Sequence, residues 1–572
     1  MCGISGFIDK RDKLIQTERE LIIRNMLRLM RHRGGDAMGI KAYNNMTIGH
    51  TRLSIVDSNP RANQPLVDVD SILSFNGEIY NHRKLRNKYG KRKLISYSDT
   101  ATLLELLRLL PLKRVLTLVQ GMYAFSYFNK KKDLLILALD KFSIKPLYYI
   151  DTPDYFAWAS EIKAFKALPQ FTFQFNNNCL EEYLVFRYIA GEKTLFKNIY
   201  KMRAGEYLVY SLKNGLFKKH QYYNLKKIKQ NKNIFPENIL KESIRAHLMS
   251  DTPVGVQLSG GLDSSLVAFF AKQFSKNRLH TFSIGLKDKQ WNEFKYSDSV
   301  AKLLKTIHHK IFFSKHDFAR LFPKLTYYLD EPLVHSNTIP MYILAKKARK
   351  YTKVLLTGEG ADEIFYGYNR YFEVKLSSNR DILLSSSFSS QRAVSRIIKS
   401  RNLVFNERNK ILETSHRIKE VDRRVSYYDI YTYLPHVLLR QDKAGMSANI
   451  ENRVPFLYEP VVERGFSSKT RTGKFGGKTA LKKVAIKYFP EELVLKRKCG
   501  FGLPITDWLK DKDALLPHLS VLKKHHLINT YFVNGEVKKL IREHIDGKKD
   551  HSAILFSIIS LVVWYDVFIK SY

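Results

Sequence analysis

TPVGVQLSGGLDSSLVAFFAKQF, residues 252–274, decides how the larger part of this chain folds. A short apolar run reading as a strand is followed at 259–265 by SGGLDSS and then by an apolar stretch at helical spacing. The small residues therefore fall on the turn between a strand and the helix it feeds. Such a turn gathers free backbone N–H groups at the positive end of a helix, which makes a site for anions such as phosphates. No GxxxxGK[ST] phosphate loop is present.

Outward from this turn, from about residue 237, strand and helix patterns alternate: LHTFSIGL (279–286) as strand, YSDSVAKLLKT (296–306) as helix and KVLLTG (353–358) as strand. Alternation of this kind predicts a parallel sheet covered by helices on both faces. After 375 the chain reads as mostly helical, and the Ser-rich stretch 377–402 reads as a mobile insertion. Before about 215 the pattern is different. Short β-type runs (MTIGHTRLSIVD, 46–57; SILSFNGEIYN, 71–81; GMYAFSYFN, 121–129; DLLILALD, 133–140; KPLYYI, 145–150) are interrupted by helical patterns at 18–31 and 99–110, an α+β arrangement. The polar, Lys/Asn-rich stretch 212–235 reads as a connection, so two domains are expected, 1–215 and 236–572.

A chain of 572 residues, 44% hydrophobic and 13% aromatic, exceeds what one core normally serves. Lys and Arg number 96 against 54 Asp and Glu, a formal charge of +42. That balance raises the question of a nucleic-acid partner. The lysines are scattered through every segment, without a recognition helix or an RNA-binding aromatic signature, and the charge reads as a solvated surface. The apolar run near Ile554–Trp564 is about half of a membrane span and reads as a buried helix, with no membrane insertion expected. Asp9 and Lys10 precede any secretory apolar region, and Cys2, Cys179 and Cys499 have no CxxC spacing. A cytoplasmic protein without disulfides or a zinc site is expected.

Cys2 would become N-terminal on removal of Met1, placing a thiol beside an α-amino group that titrates near about 7.7–8.0 and can act as its base. With its neighbours it resembles the class II glutamine amidotransferases, and more closely the glutamine-hydrolysing asparagine synthetases. The matching stretches are CGISGF, RHRGGDAMG (31–39), HTRLSIVD (50–57), QPL (64–66), SFNGEIYN (74–81), SDTATLLELL (98–107), GMYAFSYF (121–128), IKPLYY (144–149) and ASEIKA (159–164). The resemblance implies Cys2 as nucleophile, with the Asn76 side chain and the Gly77 N–H as donors to a tetrahedral oxyanion. It implies that Arg52 takes the α-carboxylate of glutamine, that Glu78 and Asp99 take its α-ammonium, and that Leu53, Ser54, Ile55 and Val56 line the same pocket. The chain departs from the family at Gly35, where proline is usual, and at LDKFS (139–143), where Arg-Asp-Pro-x-Gly is usual and Ser143 closes the stretch.

SGGLDSS is similar to the PP-loop of ATP pyrophosphatases, and TGEGADEIFYGY (357–368), DKAGMSANIENRVPFL (442–457), GKTALKK (477–483) and KRKCGFGLP (496–504) continue the likeness to asparagine synthetase. By that resemblance Ser259, Gly260, Gly261, Ser264 and Ser265 cradle pyrophosphate, and Leu258, Ile284, Thr357 and Gly358 line the adenosine site of ATP. Asp263 and Asp362 hold Mg²⁺, Lys478 balances charge on pyrophosphate, and Glu359 orients or deprotonates the incoming nitrogen nucleophile. Gly445 and Tyr458 depart from the family pattern and are expected near the acceptor.

The expected fold is thus an α+β N-terminal nucleophile (Ntn) hydrolase sandwich followed by an α/β PP-loop parallel-sheet domain with a helical C-terminal part. The expected activity joins them: ammonia released from glutamine attacks a carboxylate activated by ATP. Aspartate is the expected acceptor, giving asparagine, AMP, PPi and glutamate. The alternative is a carboxylate on a cell-envelope glycan; a third reading, nucleic-acid binding by decayed sites, is opposed by Cys2, Asn76, Asp263 and Glu359. A homodimer is implied by the resemblance alone.

Overall fold

The computed structural model describes residues 2–90, 96–228, 235–287, 291–292, 294–373, 378–400, 405–468, 476–496 and 502–570. Cys499 and most of KRKCGFGLP lie outside them.

The first half builds two antiparallel six-stranded sheets. One runs in the order Tyr200–Lys201, Tyr148–Asp151, Tyr155–Ala159, Gly3–Asp9, Met46–Arg52, Ala37–Tyr43. The other runs Phe217–Gln221, Glu206–Ser211, Leu134–Leu139, Gly121–Asn129, Ser71–Ile79, Leu66–Val67, so it continues beyond residue 215. Ile4, Ile8 and Ile48 of the first sheet join Ile72, Ala124 and Leu137 of the second in one buried cluster, so the sheets face each other across an apolar layer. Strand Gly3–Asp9 is central and wholly buried, which carries Cys2 at its head into the interior.

The helical patterns fall where the spacing predicts, at Gln16–Leu29 and Asp99–Leu109. Ser98 caps the second helix, its hydroxyl accepting from Ala101 N, and this fixes Asp99 at the first helical position.

The second half centres on five strands, all parallel, in the order Ile307–Phe313, His280–Leu286, Val254–Gln257, Val354–Leu356, Glu451–Arg453. The Ser-rich stretch is not a loose insertion. Within 378–400 it forms helices Asn379–Ser385 and Gln391–Ile397, capped by Ser378 and Ser390, and Phe388 N donates to Val185 O of the first half. Serine is abundant there because it caps and turns helices.

The apolar run at the C-terminus lies in a helix that continues to Lys570, longer than the run itself. This helix is long and apolar enough to cross a membrane, yet Leu555, Ile558, Ile559, Leu561 and Trp564 are buried in the largest core, which also holds Phe175 and Phe196 of the first half.

Candidate functional site

Two sites emerge. The first is a pocket lined by Cys2, Arg52, Leu53, Ile55, Val56, Gly77, Glu78 and Asp99, together with Gln64, Phe75 and Thr100. Eight of the residues expected to bind glutamine or attack it thus meet in one place. Ser54 and Asn76 do not line it; the Ser54 N–H turns away to Asp36 Oδ2 at 2.9 Å, and Asn76 is buried behind Cys2.

Asn76 Oδ1 accepts from the Cys2 backbone nitrogen at 3.2 Å. This fixes the amide orientation and leaves Nδ2 buried without a partner, a donor free for an oxyanion. Gly77 must be glycine: a Cβ there would stand 2.1 Å from Met122 O on the paired strand. Burial pushes the Cys2 thiol up, opposed by the Leu53 N–H and the Arg52 guanidinium. A buried thiol of this kind needs a nearby base to react at neutral pH.

Arg52 is aimed by oxygen acceptors: Nη1 donates to Asn63 Oδ1 at 2.7 Å and Asn59 O at 3.2 Å, and Nη2 to Asp57 O. No carboxylate among the described residues forms an ion pair with it, so its charge remains available to a ligand. Asp99 accepts from Ile79 N and Thr100 N, and burial raises it to about 6. Burial raises Glu78 as well, with Arg453 opposing at 3.3 Å and Asp99 adding to the rise. Arg453 belongs to the parallel sheet, so the second half of the chain contributes directly to this pocket's electrostatics.

The second site stands at the C-terminal ends of the parallel strands. Ser259 to Gly261 turn from strand Val254–Gln257 into helix Leu262–Phe274. Gly260 has φ +76°, and a Cβ would meet Ser297 N at 2.5 Å, so no other residue fits without strain. Ser259 Oγ and Ser264 Oγ are 2.9 Å apart, and Ser265 Oγ is buried without a partner. Leu258, Ile284, Thr357 and Gly358 sit on or just past three neighbouring strands, forming the rim beside the loop.

Lys478 Nζ lies 2.5 Å from Asp263 Oδ2 and 2.7 Å from Asp362 Oδ1. Burial would lower this ammonium, yet the two carboxylates win and hold it above its ordinary range. Its backbone is left-handed, φ +57°, a conformation that costs a non-glycine residue about 1–2 kcal/mol. An ammonium bridging two hard carboxylates stands where a divalent cation would, and the donor set suits Mg²⁺. No cluster of three or more His, Cys, Asp or Glu side chains converges among the described residues, so the rest of a metal's shell would come from water and phosphate.

Beside Glu359 lies a further pocket that the sequence did not announce, lined by Glu331, Val334, His335, His436 and Arg440. Arg440 Nη2 is 3.6 Å from Glu359 Oε1, and its Nη1 donates to Asn337 Oδ1 at 2.5 Å. His436 Nδ1 is 3.5 Å from Glu331 Oε2, and its partners hold Glu331 down at about 2. Tyr458, expected near the acceptor, is not among the residues lining this pocket. Its hydroxyl donates to Gln120 Oε1 at 2.5 Å, a contact with the first half that a shorter side chain could not make. Gly445 packs against Asn452, where a Cβ would stand 2.3 Å from Nδ2. Ser143 has φ +61°, the conformation for which glycine is the usual choice, and the loop around it is held by Asp140, which accepts from Phe142, Ile144 and Lys145 N.

A buried thiol pocket and a serine- and glycine-rich strand–loop–helix turn in one chain are the arrangement expected of an amidotransferase, and comparison with known proteins gives that class. The glutamine amidotransferase domain family matches residues 1–223, and the asparagine synthase family matches residues 237–566. The chain belongs to the asparagine synthase family. It is 28% identical to "Asparagine synthetase [glutamine-hydrolyzing] 1" of Bacillus subtilis (strain 168), over 100% of this chain and 97% of that protein. It is 34% identical to "Putative asparagine synthetase [glutamine-hydrolyzing] 2" of Methanocaldococcus jannaschii, over 64% and 76%. It is 31% identical to "Asparagine synthetase B [glutamine-hydrolyzing]" of Escherichia coli (strain K12), over 64% and 65%.

Proposed function

We propose that this protein makes asparagine, with a glutaminase domain of Ntn-hydrolase type that runs through strand Phe217–Gln221, beyond the expected end at 215, and a PP-loop synthetase domain at 236–572. With Met1 removed, the Cys2 amine takes the thiol proton and the thiolate attacks the amide carbon of glutamine. The Asn76 Nδ2 and Gly77 N–H donors hold the oxyanion, ammonia departs, and water releases glutamate from the thioester. Arg52 grips the α-carboxylate, and Glu78 with Asp99 grips the α-ammonium.

In the second domain the Ser259–Ser265 loop and the Leu258, Ile284, Thr357 and Gly358 rim hold ATP. Asp263 and Asp362 would hold Mg²⁺, which when bound neutralises phosphate charge. A carboxylate oxygen of aspartate displaces PPi from ATP to give β-aspartyl-AMP, with Lys478 facing the departing phosphates. Glu359 orients ammonia for attack on the acyl carbon, and AMP leaves. Met122, Phe142 and Ile144 of the first half share one buried apolar cluster with Val256, Leu258 and Leu356 of the second, and ammonia crossing between the halves there would be shielded from protonation.

The observation that carries the choice of aspartate is the pocket beside Glu359. Arg440 and Glu331 offer one cation and one carboxylate, matching an α-carboxylate and an α-ammonium, whereas a uronic acid has no ammonium for Glu331. The test is AMP and PPi release by purified protein with glutamine and ATP-Mg²⁺. Aspartate should stimulate release with asparagine in equal amount; turnover with uronic acids and none with aspartate refutes the reading.

A further inference from the structure

The loop Leu53–Asp57 forms one wall of the Cys2 pocket and leaves strand Met46–Arg52, yet much of what holds it comes from the other half of the chain. Lys353 Nζ donates to Ser54 O at 3.2 Å and to Asp36 Oδ2 at 2.9 Å, and the same Asp36 oxygen accepts from Ser54 N at 2.9 Å. Asp251 N donates to Ile55 O at 2.9 Å, and Asp251 Oδ2 accepts from Asp57 N at 2.7 Å. Asp57 O in turn accepts from Arg52 Nη2. Beneath the loop, Leu53 and Ile55 share a buried apolar cluster with Val354 and Met446.

Lys353 immediately precedes strand Val354–Leu356, and Asp251 precedes strand Val254–Gln257; the two strands are paired in parallel, Val254 against Val354. The residues that clamp the loop therefore stand at the N-terminal ends of the strands whose C-terminal ends lead into the Ser259 loop and Glu359.

We infer that Asp251 and Lys353 are positioning residues for glutamine: they fix the Leu53–Asp57 wall and, through the Asp57 carbonyl, the direction of Arg52. This rests on the glutamine reading above. Neither residue lines the pocket, so each acts through the loop, on affinity rather than on bond breaking.

The test is the rate of Cys2 alkylation by a diazoketone analogue of glutamine, followed by mass spectrometry against reagent concentration on the full chain. Asp251→Ala and Lys353→Met should each raise the half-saturating concentration about tenfold while the limiting rate stays within about twofold, because a misplaced wall weakens capture. Asp251→Asn keeps an acceptor oxygen and Lys353→Arg keeps a cation, and both should stay near the wild type. Unchanged half-saturation in the first two variants overturns the inference. So does a loss confined to the limiting rate that the conservative variants share. Absence of any Cys2 alkylation in the wild type overturns the glutamine reading itself and this inference with it, an outcome distinct from saturable alkylation that the variants leave unmoved.

Discussion

Arg33 Nη2 stands 2.8 Å from Asp442 Oδ2, a fully buried ion pair between the antiparallel half and the long helix Val421–Met446 of the other. The same guanidinium donates to the Cys2 carbonyl at 3.1 Å and to Glu161 at 2.9 Å, while Asp442 also pairs with the buried Lys145 at 3.3 Å. Asp442→Ala leaves Lys145 without its carboxylate and Arg33 half paired. Removing one partner of a buried pair costs about 3–5 kcal/mol. The expected outcome is a marked fall in the thermal unfolding midpoint, with Asp442→Asn falling less because it still accepts hydrogen bonds; an unmoved midpoint in the alanine variant disproves the account.

Asn76→Ala removes a side-chain donor beside Cys2, its buried and unpartnered Nδ2. Loss of a donor of this kind lowers kcat about 10²–10³-fold. Glutamate release should fall by that factor, and asparagine formation from added ammonia should persist, since the second site makes no use of Asn76. Equal loss in both assays contradicts the division of labour.

The first site was legible because its parts are local. Cys2, Arg52, Asn76 to Glu78 and Asp99 each sit in a short recognisable motif, at the paired strands Gly3–Asp9 and Met46–Arg52 of one sheet, on strand Ser71–Ile79 of the facing sheet and, for Asp99, at a capped helix start. What sequence could not give is who completes the pocket from elsewhere. Arg453 reaches Glu78 from a three-residue strand at the edge of the parallel sheet, and Asp251 and Lys353 precede strands that read only as apolar runs. His335 and His436 come from a loop and from the middle of a helix 26 residues long, where no periodicity singles them out. The Ser-rich helices were missed for a related reason, since cap residues and loop residues are the same amino acids.

Asp99 makes the glutamine site sensitive to acid. Burial lifts its carboxyl from 3.8 to about 6, and only the ionised form can pair with an ammonium. The kcat/KM for glutamine should therefore fall as pH drops through about 6. The stability sign is opposite: a carboxyl raised in the folded state favours folding below its unfolded value and loses that contribution as pH climbs through about 6. Asp99→Asn should accordingly remove this loss of stability between about pH 5 and 7, although its single oxygen can serve only one of the two backbone N–H groups that Asp99 holds, and it should weaken glutamine binding. A variant whose stability changes with pH between about 5 and 7 as the wild type's does refutes the assignment of a raised Asp99 carboxyl.

Lys478, Asp263 and Asp362 act as a set, one positive charge held against two negative ones. In the structure one ammonium spans two carboxylates at 2.5 and 2.7 Å. Asp263→Asn keeps the shape but removes a negative charge, leaving Lys478 with one ionic partner and a cation bound to phosphate with one fewer hard oxygen. Aspartate-dependent PPi release should drop by orders of magnitude, because charge stabilisation of this sort is worth several kcal/mol, roughly tenfold for each 1.4. Lys478→Met should act in the opposite electrostatic sense. The paired carboxylates then repel each other and bind Mg²⁺ more tightly in the absence of nucleotide, which calorimetric titration reads directly, while turnover falls. Glutamate release from glutamine should be unchanged in both variants, since neither residue lines the Cys2 pocket. If Asp263→Asn releases PPi at the wild-type rate, the phosphate loop has been assigned to the wrong residues.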